Sequence, residues 1–350
     1  MADTTPAPTY VVEAGDVTRD RDTVLAIWHG NLGQDARMRA KYDWFYAGCP
    51  FGPPLLCLLR HTPDDMRIGV ATAGPRRMVW RGAEIGTGLL VDLAVTAEHR
   101  SLGPAMMLQT ALAEAGCRRF DLLYGFPNPK AAAVFKRVGY DKLGEIVRHA
   151  RVLRHAQYIA RRLPRILAWV AGAVIDITVR IRDAWRSRSD PRVDFEWSHT
   201  ADARFDALWA NSPHGEGLVG VRDAAFARWR FDASPLSSTR YLLVSDADTG
   251  TLLAWFACQI EDSVLHVRDF WSDDAIARIG RAHVDVLLRA VRAAGHAAVS
   301  VEYAGADARL EGWRGAGFVE RGRRPVFGKW ADGRSTEGID LHLTSADEDE

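Results

Sequence analysis

The chain has 350 residues, which is enough for two ordinary domains, each with its own hydrophobic core. Its 45 basic residues balance its 45 acidic residues, so bulk charge gives no reason to expect a nucleic-acid partner. The four cysteines are scattered, without a CxxC pair or a nearby histidine cluster, which excludes the common zinc and disulfide frameworks. We therefore expect reduced thiols, no metal site and a cytoplasmic protein, since no secretory signal opens the sequence.

The first 80 residues predict one strand, two helices and then antiparallel strands. The first strand is expected at 10–12, and an acidic turn at Asp20 and Asp22 precedes the first helix. The second helix covers 37–46 and must end before the prolines of 50–54, which cannot continue it. The next strands are predicted at 55–59, 68–73 and 76–80.

The stretch from 89 to 115 combines an apolar strand, a polar loop and an amphipathic helix. The strand covers 89–95, and the helix is predicted to begin near Pro104. The first amides of a helix lack internal acceptors and its dipole favours negative charge, so this junction can bind an anion. Gly103 and Ala105 are small enough to let a ligand approach the main chain closely.

The loop between this strand and helix resembles a phosphate-binding motif. Its pattern, Arg100-x-x-Gly103-x-Ala105, is similar to the acyl-CoA pyrophosphate loop of the GNAT superfamily of N-acetyltransferases. The resemblance implies a mixed, mostly antiparallel sheet flanked by helices, with acetyl-CoA or another acyl-CoA as the acyl donor. It also implies that backbone amides near Leu93 and Val95 hold the thioester carbonyl.

A second signature covers 125–140, after a predicted strand at 120–124. It resembles the GNAT pattern in which an Asn bonds near the pantetheine arm and a Tyr protonates the leaving thiolate. Asn128 matches the Asn, whereas Phe135 stands where the Tyr is expected and has no proton to give. The residues that the two signatures imply as donor-binding are Leu93, Val95, Arg100, Ser101, Leu102, Gly103, Ala105, Asn128 and Phe135.

Amide formation by acyl transfer needs a base for the amine and an acid for the departing thiolate. Asp92, on the central strand, is the candidate base, because carboxylates on this strand serve as bases in some relatives; pairing with Arg77 or Arg100 is the alternative. Tyr124, at the end of the neighbouring strand, is the candidate acid, with core packing as the alternative. Cys117 follows a helix end and is not placed as a nucleophile, which favours direct transfer.

From residue 193 onward the order of elements repeats, with a strand at 193–197 and helices near 201–210 and 223–231. The recurrence of Trp44 and Trp229 favours core packing over substrate stacking. The matched pairs are Trp44 with Trp229, Gly116 with Gly295, Tyr124 with Tyr303, Phe135 with Trp313, Gly139 with Gly317 and Tyr140 with Phe318.

The second copy differs from the first at its strand-to-helix loop. This loop reads Ser272-Asp273-Asp274, and two carboxylates would repel a pyrophosphate. We therefore predict that the second copy no longer binds acyl-CoA and is either structural or one wall of the acceptor site.

A basic segment separates the two copies. Arginines flank an apolar run at 166–181 that contains Trp169 and Asp176, and this run is too short and too charged to span a membrane. We predict a helical connector that packs on one of the domains; an amphipathic helix on an anionic lipid surface is the alternative.

The sequence thus predicts an α/β (α+β) protein of two GNAT-like domains joined by a helical connector. The predicted units are an acyl-CoA-binding domain at 8–148, the basic connector at 149–190, a degenerate copy at 191–331 and a disordered acidic tail at 332–350. The predicted function is transfer of an acyl group, most simply acetyl, to an amine of a small molecule or peptide. The alternative is a non-catalytic acyl-CoA sensor or scaffold. We expect a monomer or a homodimer.

Overall fold

The structure is a computed structural model that describes residues 8–155, 177–178 and 192–349. Within those residues, no helix combines the length and the apolar character needed to cross a bilayer. Most of the predicted connector, 149–190, lies outside them. Its first residues belong to a strand that continues to Val152.

Residues 8–155 form strands and helices in the predicted order. They are β1 (Tyr10–Gly15), α1 (Arg21–Trp28), α2 (Asp35–Lys41), β2 (Leu55–His61), β3 (Met66–Trp80), β4 (Ala83–Val95), α3 (Leu102–Gly116), β5 (Leu122–Gly125), α4 (Pro129–Val138) and β6 (Asp141–Val152). Helix α2 continues as a π-helix over Tyr42–Ala47. The strands predicted at 68–73 and 76–80 are one strand, β3. Pro75 is tolerated in it because the pairing with β2 ends at Ala73, so the strand has one neighbour at that point.

Residues 192–349 repeat this order and add two short strands. The elements are β7 (Val193–Ser198), α5 (Ala203–Asn211), β8 (Leu218–Gly220), α6 (Ala224–Ala227), β9 (Arg240–Asp246), β10 (Leu252–Glu261), β11 (Val264–Ser272), α7 (Arg281–Ala293), β12 (Ala298–Ala304), α8 (Asp307–Gly315), β13 (Val319–Trp330) and β14 (Leu341–Thr344). Helix α6 continues as a π-helix over Arg228–Asp232, as α2 does in the first half.

Each half of the chain gives its last long strand to the sheet of the other half. The strand order is β1-β2-β3-β4-β5-β13-β6-β12-β11-β10-β9-β7. β13 pairs antiparallel with β5, and β6 pairs antiparallel with β12. β13 and β6 also pair with each other, so the two halves share one continuous sheet. The predicted domains 8–148 and 191–331 are therefore not self-contained, because each sheet is completed by a strand from the other half.

Two tryptophans that recur in the sequence meet between the halves. The rings of Trp44 and Trp229 stack with their centroids 5.6 Å apart, and both are buried. Each indole N–H donates to the backbone carbonyl of the other residue, at 2.7 Å from Trp44 and 3.4 Å from Trp229. This reciprocal contact confirms that the two tryptophans serve core packing.

The C-terminal segment, predicted to be a disordered acidic tail, is ordered and buried at 341–347. β14 pairs with β12 and β8, and β8 pairs with β3 of the first half. The prediction of disorder is wrong because the acidic residues find buried basic partners that are remote in sequence. Carboxylate oxygens of Asp347 and Asp269 lie 2.5 Å and 2.8 Å from guanidinium nitrogens of Arg222, and all three residues are buried.

Removing one of these carboxylates should destabilise the protein strongly. Asp347→Ala leaves a fully buried guanidinium with one carboxylate partner, Asp269, and breaking a buried ion pair costs about 3–5 kcal/mol. Urea unfolding followed by circular dichroism measures the loss. Asp332→Ala is the matched control in the same segment, because Asp332 and Arg334 form an exposed pair worth about 0–1 kcal/mol. Equal unfolding midpoints for the two variants would contradict this anchoring of the C-terminal segment.

Candidate functional site

Strands β4 and β5 separate where the predicted donor-binding residues lie. Their parallel pairing ends at Leu89 and Tyr124, whereas β4 continues to Val95. A register shift against β3 places Asp92 and Leu93 opposite a single residue, and Asp92 has a positive φ of 52°. Such a bulge bends a strand. It leaves a gap between β4 and β5, and Leu93 and Val95 lie on the part of β4 that pairs with β3 but not with β5.

Helix α3 begins at Leu102, two residues before the predicted start, and its first residues are exposed. Ser101, the residue before the helix, provides no side-chain cap. The amides of Leu102 and Gly103 precede any helical acceptor, and Pro104 has no amide to leave unpaired. Apart from its chain neighbours and the backbone of its own helix, no described residue has an atom within 4 Å of the position that a Cβ of Gly103 would occupy. With the small side chain of Ala105 in the same turn, this helix start offers backbone donors to an anion.

Two polar side chains of the predicted donor site have partners within the chain. The guanidinium of Arg100 donates to Oδ1 of Asn31, which ties the loop before α3 to the end of α1. The side-chain oxygen of Asn128 accepts from the amide of Ala131 at 3.0 Å and so caps α4. Arg100 therefore holds the loop before α3, and Asn128 holds the start of α4.

Phe135, which replaces the tyrosine of the family pattern, lies in the core beneath α3. Its ring centroid is 5.0 Å from that of Tyr140 and 6.0 Å from that of Phe327. Its Cε1 atom would lie 3.2 Å from a Cβ at Gly125, so it packs on the end of β5 beside the gap. The hydroxyl of Tyr140 has no hydrogen-bond partner among the described residues, and burial raises its pKa, so this phenol stays protonated.

Asp92 is buried in an ion pair within the bulge of β4. One carboxylate oxygen accepts from Nζ of Lys41 at 2.8 Å, and the other accepts from the hydroxyl of Tyr46 at 2.7 Å. The alternative partners named from the sequence do not contact Asp92. Arg77 donates to Glu84 and Asp223, and Arg100 donates to Asn31. Burial raises the pKa of Asp92 and the attraction of Lys41 offsets this only in part, so the carboxylate takes a proton more readily than usual.

Tyr124 lies on the same face of the sheet as the partners of Asp92. Its side chain is buried in the core between the halves, whereas its neighbour Leu123 packs beneath α3. The Tyr124 hydroxyl donates to the carbonyl oxygen of Asp347 at 3.1 Å, and burial raises its pKa. The two predicted catalytic residues therefore share the face opposite α3, and the C-terminal segment reaches one of them directly.

The sequence reasoning missed Lys41 and Asp349, which complete this face. Asp349 accepts a hydrogen bond from Nζ of Lys41 at 2.6 Å. It lies two residues after Asp347, whose carbonyl oxygen accepts from Tyr124. Burial lowers the pKa of Lys41, but the carboxylates of Asp92 and Asp349 outweigh that effect and the net shift is upward. A lysine directly before the aromatic run at 42–46 was the signal that could have indicated a buried charge.

Two buried arginines add positive charge to the same face. The guanidinium of Arg76 lies 4.5 Å from the rings of both Phe45 and Trp229, and its Nε and Nη2 have no hydrogen-bond partner among the described residues. Arg230 donates to two backbone carbonyls of the C-terminal segment. Burial, with repulsion from Arg268 and Arg76, lowers the pKa of Arg230 to about 9. The acidic side chains of the C-terminal segment pair with three other bases, which are Lys41, Arg222 and Arg324.

The corresponding gap in the second half is filled by the chain itself. β11 and β12 pair in parallel only as far as Val267 and Val301, and β14 pairs with β12 beyond that point. The hydroxyl of Thr344 donates to Asp269 at 2.8 Å, and that of Ser345 donates to a β11 carbonyl at 3.0 Å. The C-terminal segment therefore occupies the space that a ligand would need in this half.

No protein-family model and no curated protein matches this sequence. The fold does match solved structures at low sequence identity. A probable N-acyltransferase from Enterococcus faecalis matches with a TM-score of 0.62 and 10% identity, over 93% of this chain and 73% of that chain. A GCN5-related N-acetyltransferase from Anabaena variabilis gives a TM-score of 0.60 at 10% identity, over 92% of this chain and 73% of that chain. A GCN5-related N-acetyltransferase from Kribbella flavida gives a TM-score of 0.58 at 14% identity, over 92% of this chain and 72% of that chain.

This chain has the fold of the GCN5-related N-acetyltransferases, which confirms the fold that the two sequence signatures implied. The same fold extends to an N-myristoyltransferase of Saccharomyces cerevisiae with bound myristoyl-CoA. That match has a TM-score of 0.50 at 10% identity, over 94% of this chain and 85% of that chain.

A buried histidine in β14 should couple stability to pH. His342 is fully buried, with Nδ1 2.9 Å from the hydroxyl of Tyr303. Burial, with the nearby charges of Arg222 and Arg309, lowers the pKa of His342 well below its usual value. The unfolded chain takes up a proton at this residue near pH 6.5 and the folded chain does not. Folded-state stability is therefore lost as the pH falls below about 6.5, at about 1.4 kcal/mol per pH unit.

The substitution His342→Gln should remove this part of the pH dependence. The free energy of unfolding in urea, compared at about pH 7.5 and about pH 5.5, should fall less for the variant than for the wild type. His199→Gln is the control, because it removes a histidine whose side chain is exposed. An unchanged pH dependence in His342→Gln would contradict a neutral, buried imidazole.

Proposed function

We propose that this protein is an acyl-CoA-dependent N-acyltransferase with its active site in the first half of the chain. The observation that carries the proposal is the gap between β4 and β5 beside the uncapped start of α3. The pantetheine arm would lie in the gap, and the pyrophosphate would accept from the amides of Leu102 and Gly103. Arg100 would add positive charge at the same entrance. The likeness of fold to N-acetyltransferases supports this arrangement.

The acceptor amine would attack the thioester carbonyl directly. A C–N bond forms as the C–S bond breaks, the amine loses a proton, and the departing thiolate takes one up. Asp92 is the proposed base, since burial raises its pKa toward the range that suits a base. Tyr124 is the proposed acid, and to act it must release the carbonyl of Asp347. Backbone amides at Leu93 and Val95 would polarise the carbonyl.

Direct transfer is favoured over a cysteine-linked intermediate. A nucleophilic cysteine needs a lowered pKa, because the thiolate is the reactive form. Burial instead raises the pKa of all four thiols, which are Cys49, Cys57, Cys117 and Cys258.

The acceptor would approach on the face opposite α3. A cavity of about 300 Å³ opens between α1 and α2 and is lined by Leu25, His29 and Met38 among others. Met38 lies one helical turn before Lys41, the partner of Asp92. This volume is at the lower end for small-molecule sites, so we propose a small amine or the end of a peptide as the acceptor, and acetyl as the simplest acyl group.

Binding of the donor can be tested at the start of α3. Gly103→Glu places a carboxylate beside the proposed pyrophosphate site and should weaken acetyl-CoA binding by about 100-fold, which is about 2.7 kcal/mol. Isothermal titration calorimetry on the full chain measures this. Gly315→Glu is the matched control, because Gly315 also has open space around its Cβ position and lies at the end of α8. A wild-type chain that binds neither acetyl-CoA nor a longer acyl-CoA would refute the proposed function.

The chemical step can be tested at Asp92 and Tyr124. Asp92→Asn should lower kcat by about 100-fold or more, since general acid–base groups contribute about 10²–10⁴-fold. Tyr124→Phe keeps the ring, loses only the hydroxyl that would donate the proton and should lower kcat in the same range. Thiol release from acetyl-CoA with a panel of amines gives the rate, and calorimetry should show unchanged donor affinity. Thermal unfolding monitors the fold of each variant.

A sensor or scaffold is the second candidate function. It is favoured by the observation that both oxygens of Asp92 and the hydroxyl of Tyr124 already have partners. A wild-type chain that binds acyl-CoA but releases no thiol with any amine would support the sensor and contradict the enzyme.

A further inference from the structure

Two histidines and an aspartate from two separate segments meet near the start of α3. His61 ends β2 and Asp64 lies in the turn that follows it, while His99 ends a short 3-10 helix directly before Arg100. One nitrogen of each imidazole and one carboxylate oxygen of Asp64 all lie within 4.8 Å of one another. We propose that these three residues bind a divalent transition-metal ion, with Zn²⁺ as the best match.

The spacing of the three groups fits a four-coordinate ion with one open position. With ligand bonds of about 2.1 Å, tetrahedral ligand atoms are about 3.4 Å apart. Nδ1 of His61 is already 2.9 Å from Oδ1 of Asp64, and the rings of His61 and His99 are 4.5 Å apart. Separations of up to 4.8 Å between the ligand atoms would therefore have to close to about 3.4 Å, and side-chain rotation can supply this. Two imidazoles and one carboxylate match the ligand set of sites that hold zinc or non-haem iron.

Tyr10 holds the second imidazole in place. Its phenol oxygen lies 3.2 Å from Nδ1 of His99, and its ring lies 5.3 Å from that of His61 and 5.9 Å from that of His99. An outer partner that orients a ligating histidine is a regular feature of zinc sites. The side chain of His61 is only 17% exposed, so this ring is held in place before any ion arrives.

A second cluster in the chain provides a contrast. Asp273, Asp274 and His283 also converge, in the loop that leads to α7. This cluster has one imidazole and two adjacent carboxylates, and Asp274 already accepts from the hydroxyl of Ser272 at 2.7 Å. Carboxylate-rich sets suit Mg²⁺ or Mn²⁺, whereas imidazole suits zinc. The cluster at His61 is therefore the better zinc site, and Asp274 offers a control.

A metal ion at His61, Asp64 and His99 would restrict the loop before α3, because His99 directly precedes Arg100. An ion bound to His99 would fix the residue that precedes Arg100 and would join the loop to the β2–β3 turn. It would also add positive charge beside the helix start that offers its amides to an anion. Metal binding itself does not require the proposed acyltransferase activity, so the two can fail separately.

Zinc binding can be measured on the untagged full chain after treatment with a chelator. Calorimetry with Zn²⁺ should give one ion per chain, and Co²⁺ should give visible absorption bands of a four-coordinate site. His61→Gln and His99→Gln should each abolish binding or weaken it by at least about 100-fold, and Tyr10→Phe should weaken it by about tenfold. Asp274→Asn should bind like the wild type.

Three outcomes would overturn the metal site. They are a wild-type chain that does not bind Zn²⁺ at micromolar concentration, binding that survives both histidine substitutions, and binding that is lost in Asp274→Asn. Intense near-ultraviolet charge-transfer bands with Co²⁺ would instead indicate cysteine ligands and would also refute the proposal. Circular dichroism verifies that each variant is folded, and Asp64→Asn, in an exposed turn, is a second ligand variant with little effect on folding.

Discussion

A fully buried guanidinium requires carboxylate partners, and Arg222 takes one of its two from the last residues of the chain. An unpaired charge in that position would cost several kcal/mol, so the contact with Asp347 holds the C-terminal segment between the halves. The C-terminal segment then reaches both halves of the chain. The segment fills the gap of the second half with β14, and it carries Asp349 to Lys41 in the first half.

The two halves share an order of elements but differ in the space that their strands leave. In the first half, β4 bulges at Asp92 and separates from β5, and the adjacent helix start at Leu102 is exposed and uncapped. In the second half, β14 occupies the equivalent space and Asp273 lies in the adjacent loop. One fold therefore leaves an open gap in one copy and fills it with its own chain in the other, and the difference lies in the local residues.

Sequence reasoning succeeded where the cause is local. The glycine and proline after Arg100 predicted the helix start, and the recurrence of Trp44 and Trp229 predicted their packing in the core. It failed where the partner is remote. Asp92 was predicted as a base, with Arg77 or Arg100 as the alternative partners, and the acidic C-terminal residues were expected in solvent. Nothing near either segment in sequence shows the buried base that it meets.

By itself, the sequence determined most of the strands and helices and the position of the helix start after Arg100, because hydrophobic periodicity, prolines and first-turn amides act within a few residues. The tertiary structure alone decided which strand completes each sheet and which gap stays open. It also decided that His61 and His99 lie together and that Lys41 bonds Asp349, 308 positions away. Such pairings follow from how the halves exchange β6 and β13, and a long-range strand pairing leaves no signal in any single stretch of sequence.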